Sequence, residues 1–282
     1  MGRTENINVF QDTMNMCKDN DRIWESVHNS AEGQKLILEG AAIAEPDKKR
    51  YKEKARITVS KKRTFEAASG YRGTKTAVHN FASASNPGGG VERGANAQEE
   101  CLCRCSGLFK CLNAPDAWGG FYMAHRAQHD PIHNDDIIYT PDVLVFKSDT
   151  VKPELMDEAD WYEVDVITCA APNLREKPSN AFNTGDGKDA IKITDKDLLA
   201  IHEKRLLRIL DVALSNKVET IVLGAFGCGA FMNNPNVVAL ASKNVVNEYL
   251  YAFKNIEFAV YCSPSDDTNY RIFDRVFRPY TK

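Results

Sequence analysis

The sequence predicts an α/β fold, a largely parallel or mixed sheet with helices on both faces, and three observations carry that prediction. Apolar, β-rich segments alternate with helically spaced ones along most of the chain. Two of the strand candidates run directly into glycine-rich loops and then into helices. The 282 residues, 43% of them apolar, can bury a large core and fall near the upper size of one compact domain.

In chain order, residues 1–55 are polar with helical stretches around Arg22 to Val27 and Gln34 to Ala44. They read as a helical accessory segment ahead of a main unit spanning 56–282. Thr76 to Ala84 reads as a buried strand ending where the first glycines begin. Cys101, Leu102, Cys105, Leu108, Phe109 and Leu112 recur at helical spacing and predict one helix reaching Leu112. After an irregular stretch rich in His, Asp, Gly and Pro, Ile137 to Tyr139 and Val143 to Phe146 are two strand candidates. Val164 to Ala170 is a third, stopped by Pro172. Asp195 to Leu214 has helical periodicity with Thr194 as its N-cap. Val218 to Leu223 as strand, Asn236 to Phe253 as helix and Ile256 to Cys262 as strand complete the pattern. In such sheets ligands bind at the carboxyl ends of strands, where both glycine loops fall.

A formal net charge of −3 gives no global attraction to a polyanion, so recognition of a phosphate-rich ligand has to be local. Lys48, Lys49, Arg50, Lys52, Lys54 and Arg56, followed by Lys61, Lys62 and Arg63, would supply a positive field near a site. The plainer reading of that run is a solvated charged face. No apolar stretch approaches the ~20 residues of a membrane span, and Met1 to Asn6 has no apolar core like that of a signal peptide. Eight cysteines lie mostly on predicted strands and helices, where free cysteine acts as a small core residue. A soluble, intracellular and cytoplasmic protein is therefore expected, without a disulfide framework.

The first glycine loop runs from Asn86 through Pro87, Gly88, Gly89 and Gly90 to Gln98, Glu99 and Glu100 at a helix start. Glycine lets the backbone approach a ligand closely and take up positive φ, so the N–H groups are expected to point at phosphate oxygens. The loop lacks the Gly-Lys-Ser/Thr ending of a Walker loop and the G-x-G-x-x-G order of a dinucleotide fingerprint. By itself it is a weak signal, because acidic residues in a first helical turn also oppose the helix dipole. A second loop, Gly224 to Pro235, again links an apolar strand to a helix, with Asn234 as N-cap and Pro235 at the first helical position. Two such loops imply a diphosphate.

Taken together, these residues resemble the bacterial-type poly(ADP-ribose) glycohydrolases, whose fold is a macrodomain. Gly88 to Gly90 followed by Gln98 to Glu100 matches the family signature. Asn80 to Pro87 before it, Leu102 to Arg104 after it, Ala170 to Asn173 and Gly224 to Pro235 match further blocks in family order, so the resemblance runs from about Arg56 to Cys262. Phe226 stands where the family suggests tryptophan, and Cys101 and Cys105 where small residues are more usual.

The resemblance implies a macrodomain-like α/β/α sandwich that hydrolyses ribose–ribose O-glycosidic bonds of poly(ADP-ribose) and releases ADP-ribose, mainly from chain ends. Residues 1–55 would then cap the adenosine side of the pocket. By resemblance Glu100 is the catalytic acid and base, Glu99 holds ribose hydroxyls, Asn86 orients the ribose and Phe231 packs against it. Gly88, Gly89, Gly90, Val91, Gln98, Gly224, Gly227, Cys228, Gly229 and Ala230 are the expected remaining substrate contacts. No cofactor, no metal, no membrane partner and no dedicated nucleic-acid site are implied. Adjacent helix positions lie about 100° apart, so the two carboxylates need separate tasks. Burial, the neighbouring carboxylate and a bound diphosphate would all raise the pKa of a general acid at this helix start. A module that binds ADP-ribose without turnover, or a hydrolase of mono-ADP-ribosylated protein or nucleic acid, are the alternatives.

Two other groups invite chemistry and are read as structural. His125, His129 and His133 have helical spacing, but Pro131 interrupts the helix before the third, and Cys101, Cys103 and Cys105 point to different sides of a helix. Cys228 lies between glycines without a basic partner in sequence, so a packing or turn role is expected rather than a nucleophile.

Overall fold

The structure, a computed structural model, describes residues 1–281. Seven strands form one mixed sheet: β1 (Lys35–Ile37), β2 (Arg56–Ser60), β3 (Thr76–Ala82), β4 (Ile137–Val145), β5 (Tyr162–Ala170), β6 (Thr220–Leu223) and β7 (Asn255–Ala259). Their spatial order is β1-β4-β5-β3-β6-β7-β2. The five strands from β5 to β2 run parallel, while β4 is antiparallel to β5, and β1 to β4.

Helices cover both faces, and that is why the central strands read as continuous apolar runs. Successive residues alternate between two cores. Ala77, Ile167 and Ile221 face one core, with α8 (Asp195–Ser215), α9 (Pro235–Val246) and α10 (Thr268–Phe277). Val78, Val166 and Val222 face the other. That second core is closed by α1 (Arg3–Asp19), α3 (Thr64–Ala68), α4 (Gln98–Cys105), α5 (Leu108–Leu112) and α6 (Pro115–Ala117). Two further helices, α2 (Asp21–Glu32) and α7 (Met123–Gln128), complete the layer arrangement expected of an α/β/α sandwich.

The caps foreseen for α8 and α9 form. Thr194 accepts the Asp197 N–H, Asn234 accepts the Asn236 N–H, and Pro235 occupies the first turn of α9. Several boundaries differ from the sequence reading. Gln34 to Ala44 is not helical: Lys35 to Ile37 pair with Ile137 to Tyr139 as the sheet's edge strand. The single helix to Leu112 breaks at Ser106, which is extended and bridges Val145, so α4 and α5 are separate. The two strand candidates from Ile137 to Phe146 join as β4 across an irregularity between Thr140 and Val143. There the left-handed Asp142 donates its N–H to Asp165. Helix α9 ends at Val246 in a 3₁₀ turn rather than running to Phe253, and β7 ends at Ala259 rather than Cys262. Helices α1 and α10 and strand β2 are absent from the sequence reading. Each is amphipathic or short, with only a few buried anchors: Phe10 in α1, Phe273 and Phe277 in α10, Ile57 in β2.

Candidate active site

Strand β3 delivers the chain to the loop that precedes α4, and Gln98 ties the two together. Its Oε1 accepts the Phe81 N–H at 2.9 Å, while its Nε2 donates to His79 O at 2.8 Å and Thr64 Oγ1 at 3.0 Å. Both ends of this amide are engaged within the protein, so Gln98 lines the cavity as a clamp on the start of α4. Arg104, fully buried, braces the other side by donating to Ala95 O at 2.6 Å and Asn96 Oδ1 at 2.5 Å.

Fixed in this way, the two carboxylates are buried and aimed by different partners. Glu99 accepts the Ser83 N–H at 2.8 Å and the Asn80 Nδ2 at 3.3 Å. Glu100 accepts the Gly90 N–H and the Ala97 N–H, each at 2.9 Å. The bond to Ala97 is a helix-capping contact, so Glu100 caps α4 and also faces the cavity. Burial, and then the charge of Glu100, raise the Glu99 carboxyl well above its ordinary range. Both side chains converge on Gly89, whose φ is +59°. A Cβ there would lie 2.6 Å from Glu100 Oε1 and 3.2 Å from Glu99 Oε2. Only glycine keeps that space open.

Around them is a cavity of about 1200 Å³ at the carboxyl ends of β3, β6, β7 and β2. The two glycine loops meet it differently. In the first, positive φ at Gly88 and Gly89 turns the N–H groups inward: Gly89 donates to Asn86 O, Gly90 to Glu100 and Val91 to Gly88 O. The expectation that this loop offers its N–H groups to phosphate is therefore corrected; it holds carboxylates. In the second, among the described residues, the N–H groups of Gly227, Gly229, Ala230 and Phe231 find no protein acceptor, and all four residues line the cavity. A Cβ on Gly229 would meet open space, whereas one on Gly227 (φ +76°) would strike Ala171 and Asn233. This loop has the open N–H cluster of an anion cradle.

Of the other expected contacts, Asn86, Gly90 and Phe231 line the cavity. Asn86 Oδ1 accepts Arg126 Nη2 at 2.6 Å, which turns the NH₂ end away from that partner. Gly88, Val91, Gly224 and Cys228 do not line it. A Cβ on Gly88 would press on Phe109 and Val91, Val91 is core, and Gly224 allows the close approach of Ala259 O and Phe81. The Cys228 side chain packs against the α8–α9 core, and burial pushes its thiol up.

Sequence reasoning missed most of the cavity's guanidiniums. Arg3 from α1, Arg93 and Arg175 line it along with Arg63, whereas Lys48 and Lys61 pair with Glu248 and Asp267. Arg63 lies over the Tyr261 ring at 4.0 Å, 3.2 Å from Cys101 Sγ and 3.9 Å from Asp149, a buried carboxyl whose pKa burial raises to about 6. These residues come from separate turns with no shared motif, so no spacing announces them. The histidine run is split: the His125 and His133 rings meet edge to face at 6.0 Å, with His125 Nδ1 on Phe121 O and His133 Nδ1 on Ala171 O, while His129 is the left-handed cap of α7. The helix thus ends at Gln128, ahead of Pro131.

A family model for the microbial-type PARG catalytic domain, PARG being poly(ADP-ribose) glycohydrolase, matches residues 4–148, just over half of the chain. The chain belongs to this family. Among solved structures it is similar to the PARG of Thermomonospora curvata, at 29% identity and a TM-score of 0.80 over 98% of this chain and 100% of that one. The same enzyme bound to the inhibitor ADP-HPD matches at 28% identity and a TM-score of 0.78, covering 97% of this chain and 99% of that one. The PARG of Deinococcus radiodurans in complex with ADP-ribose matches at 30% identity and a TM-score of 0.76, covering 91% and 98%. No curated protein matches the chain. Much of this PARG-family site, from Arg3 to Asp149, thus falls within or beside the matched region, while the open N–H loop at Gly227 to Phe231 is supplied by the part beyond it.

Proposed function

We propose that this chain is a poly(ADP-ribose) glycohydrolase that hydrolyses ribose–ribose O-glycosidic bonds and releases ADP-ribose. The observation that carries this reading is the convergence of Glu99 and Glu100 on the open face of Gly89, inside a cavity that also presents four unengaged backbone N–H groups. The N–H groups suit a diphosphate and the carboxylates suit a glycosidic bond placed beside it.

In this reading Glu100 gives its proton to the departing 2′-oxygen as the C1″–O bond breaks. It then takes a proton from the attacking water, whose oxygen closes the new bond at C1″. A bound diphosphate stabilises the oxocarbenium-like state electrostatically. Glu99, whose carboxyl burial raises well above its ordinary range, holds the ribose hydroxyls. The NH₂ end of Asn86 orients the ribose, and Phe231, with Arg175 above its ring at 5.6 Å, packs against it. No helix among the described residues is long and apolar enough to cross a membrane. All eight cysteines are free, which supports a reducing, cytoplasmic setting.

Glu100→Gln is the deciding experiment. Glutamine keeps the shape and can still accept the Ala97 N–H with its one oxygen, giving up the Gly90 bond, but it has no acidic proton to transfer, so turnover of defined polymer should fall by ~10²- to 10⁴-fold. Affinity for ADP-ribose, measured calorimetrically, should persist, because the Gly227 to Phe231 loop is untouched. Wild-type turnover in the folded variant would reduce Glu100 to a helix cap. Binding without any turnover in the wild-type chain would make the protein a reader of ADP-ribose.

A further inference from the structure

Phe182 is a large apolar side chain left 67% exposed at the cavity rim. Its place is fixed. The turn Asn180 to Asn183 closes on itself through paired backbone hydrogen bonds, and Asn180 Oδ1 accepts the Phe182 N–H at 2.9 Å. Asn183 Oδ1 accepts Ser85 Oγ at 2.7 Å, which pins the turn to the residue before Asn86. An exposed aromatic ring on a hydrogen-bonded turn at the rim of the cavity has the form of a stacking platform rather than of packing.

Arg93 lies over this ring at 4.9 Å. No carboxylate among the described residues is within ion-pair distance of it. A Cβ built on Gly90 would be 3.6 Å from Glu100 Oε1 and 3.8 Å from Arg93 Nη2, so this guanidinium borders the same small volume as Glu100. In the glycohydrolase reading above the diphosphate of the ADP-ribose being released takes the Gly227 to Phe231 loop, which leaves Arg93 free for a phosphate of another unit. The cavity, at about 1200 Å³, also exceeds the ~300–1,000 Å³ usual for one small-molecule site.

We propose that Arg93 and Phe182 form a subsite for the leaving-side nucleotide of the polymer, Phe182 stacking on its adenine and Arg93 pairing with its phosphate. The proposal rests on the glycohydrolase reading above. Its chemistry follows from the bond broken: the departing oxygen is the 2′-oxygen of an adenosine, so the base hangs on the ribose that Glu100 protonates. A ring stacked under Arg93, whose guanidinium borders the Glu100 carboxylate, on the wall of the same cavity, is where that base can arrive.

The test separates the two sides of the bond, using polymer for both and ADP-ribose for the releasing side alone. Phe182→Ser should raise KM for polymer roughly ten-fold, the usual scale of one lost base stack, while ADP-ribose affinity stays at the wild-type value. Phe182→Trp should restore the wild-type KM, which a merely structural role would not predict. Arg93→Gln should raise the polymer KM and flatten its dependence on salt. Parallel loss of ADP-ribose affinity, or an unchanged polymer KM in folded Phe182→Ser, would overturn the subsite while leaving the glycohydrolase intact. A wild-type chain that binds ADP-ribose but never cleaves polymer would remove the glycohydrolase reading and the subsite with it.

Discussion

Asp149 shows how much of a site can be invisible in sequence and still titrate in a measurable range. It follows β4 and is buried against the first turn of α3, where its Oδ2 accepts the Phe65 N–H at 3.0 Å; its Oδ1 has no hydrogen-bond partner. Burial raises its pKa from 3.8 to about 6. The folded state therefore binds this proton more tightly than the unfolded chain. The associated stability is present below pH 4 and is lost as pH rises toward 6, by about 1–3 kcal/mol at most. In Asp149→Asn this part of the pH dependence should vanish. Urea melts at pH 4, 5 and 6 would show it, and identical slopes in the two proteins would place the proton elsewhere. The signature carboxylates, by contrast, were legible because Gly88 to Gly90 and Gln98 to Glu100 sit in one continuous stretch. Their hydrogen-bond partners were not, since Ser83, Asn80 and Gly90 lie in separate segments that a sequence cannot bring to hydrogen-bond distance.

At the scale of elements, strands flanked by helices on both sides were read correctly in kind because both faces of the sheet are buried and their apolar runs are long. Errors gathered where tertiary contacts override local pattern. The helical spacing from Cys101 to Leu112 is real, yet Ser106 bridges β4, and a Cβ at Gly107 would collide with Val27 from α2. The two glycine loops looked alike in sequence and differ in structure: the N–H groups of Gly89, Gly90 and Val91 are taken up by Asn86, Glu100 and Gly88, whereas those of Gly227, Gly229, Ala230 and Phe231 find no acceptor among the described residues. Their separation gives an expectation. Gly227→Ala puts a Cβ 2.7 Å from Ala171 Cβ and 2.8 Å from Asn233 Nδ2 in a left-handed backbone, so the open N–H cluster must shift. ADP-ribose affinity should drop by about ten-fold or more, on the scale of one or two lost charge-assisted hydrogen bonds. Calorimetry with ADP-ribose measures this directly. An unchanged Kd would mean that the diphosphate rests elsewhere.

For the whole molecule, the segment 1–55 is tied to the first glycine loop as well as to the sheet. Asn6 Nδ2 donates to Gly94 O at 3.0 Å, and Gly94, at φ +74°, passes so close to the Arg3 carbonyl that a side chain there would collide with it. Arg3 and Ile7 of α1 then form part of the cavity wall, while β1 of the same segment is the sheet's edge. A wall built from the start of the chain narrows the routes by which a long polymer can lie across the site, and together with the resemblance to bacterial glycohydrolases it favours cleavage at chain ends. Free ADP-ribose should therefore dominate the products from the first time points, with the remaining polymer shortening one unit at a time. Chromatographic sizing of early products from polymer of defined length distinguishes the modes. Internal cleavage would yield oligomers first and ADP-ribose late, and would show that the α1 wall leaves the chain a path through the cavity.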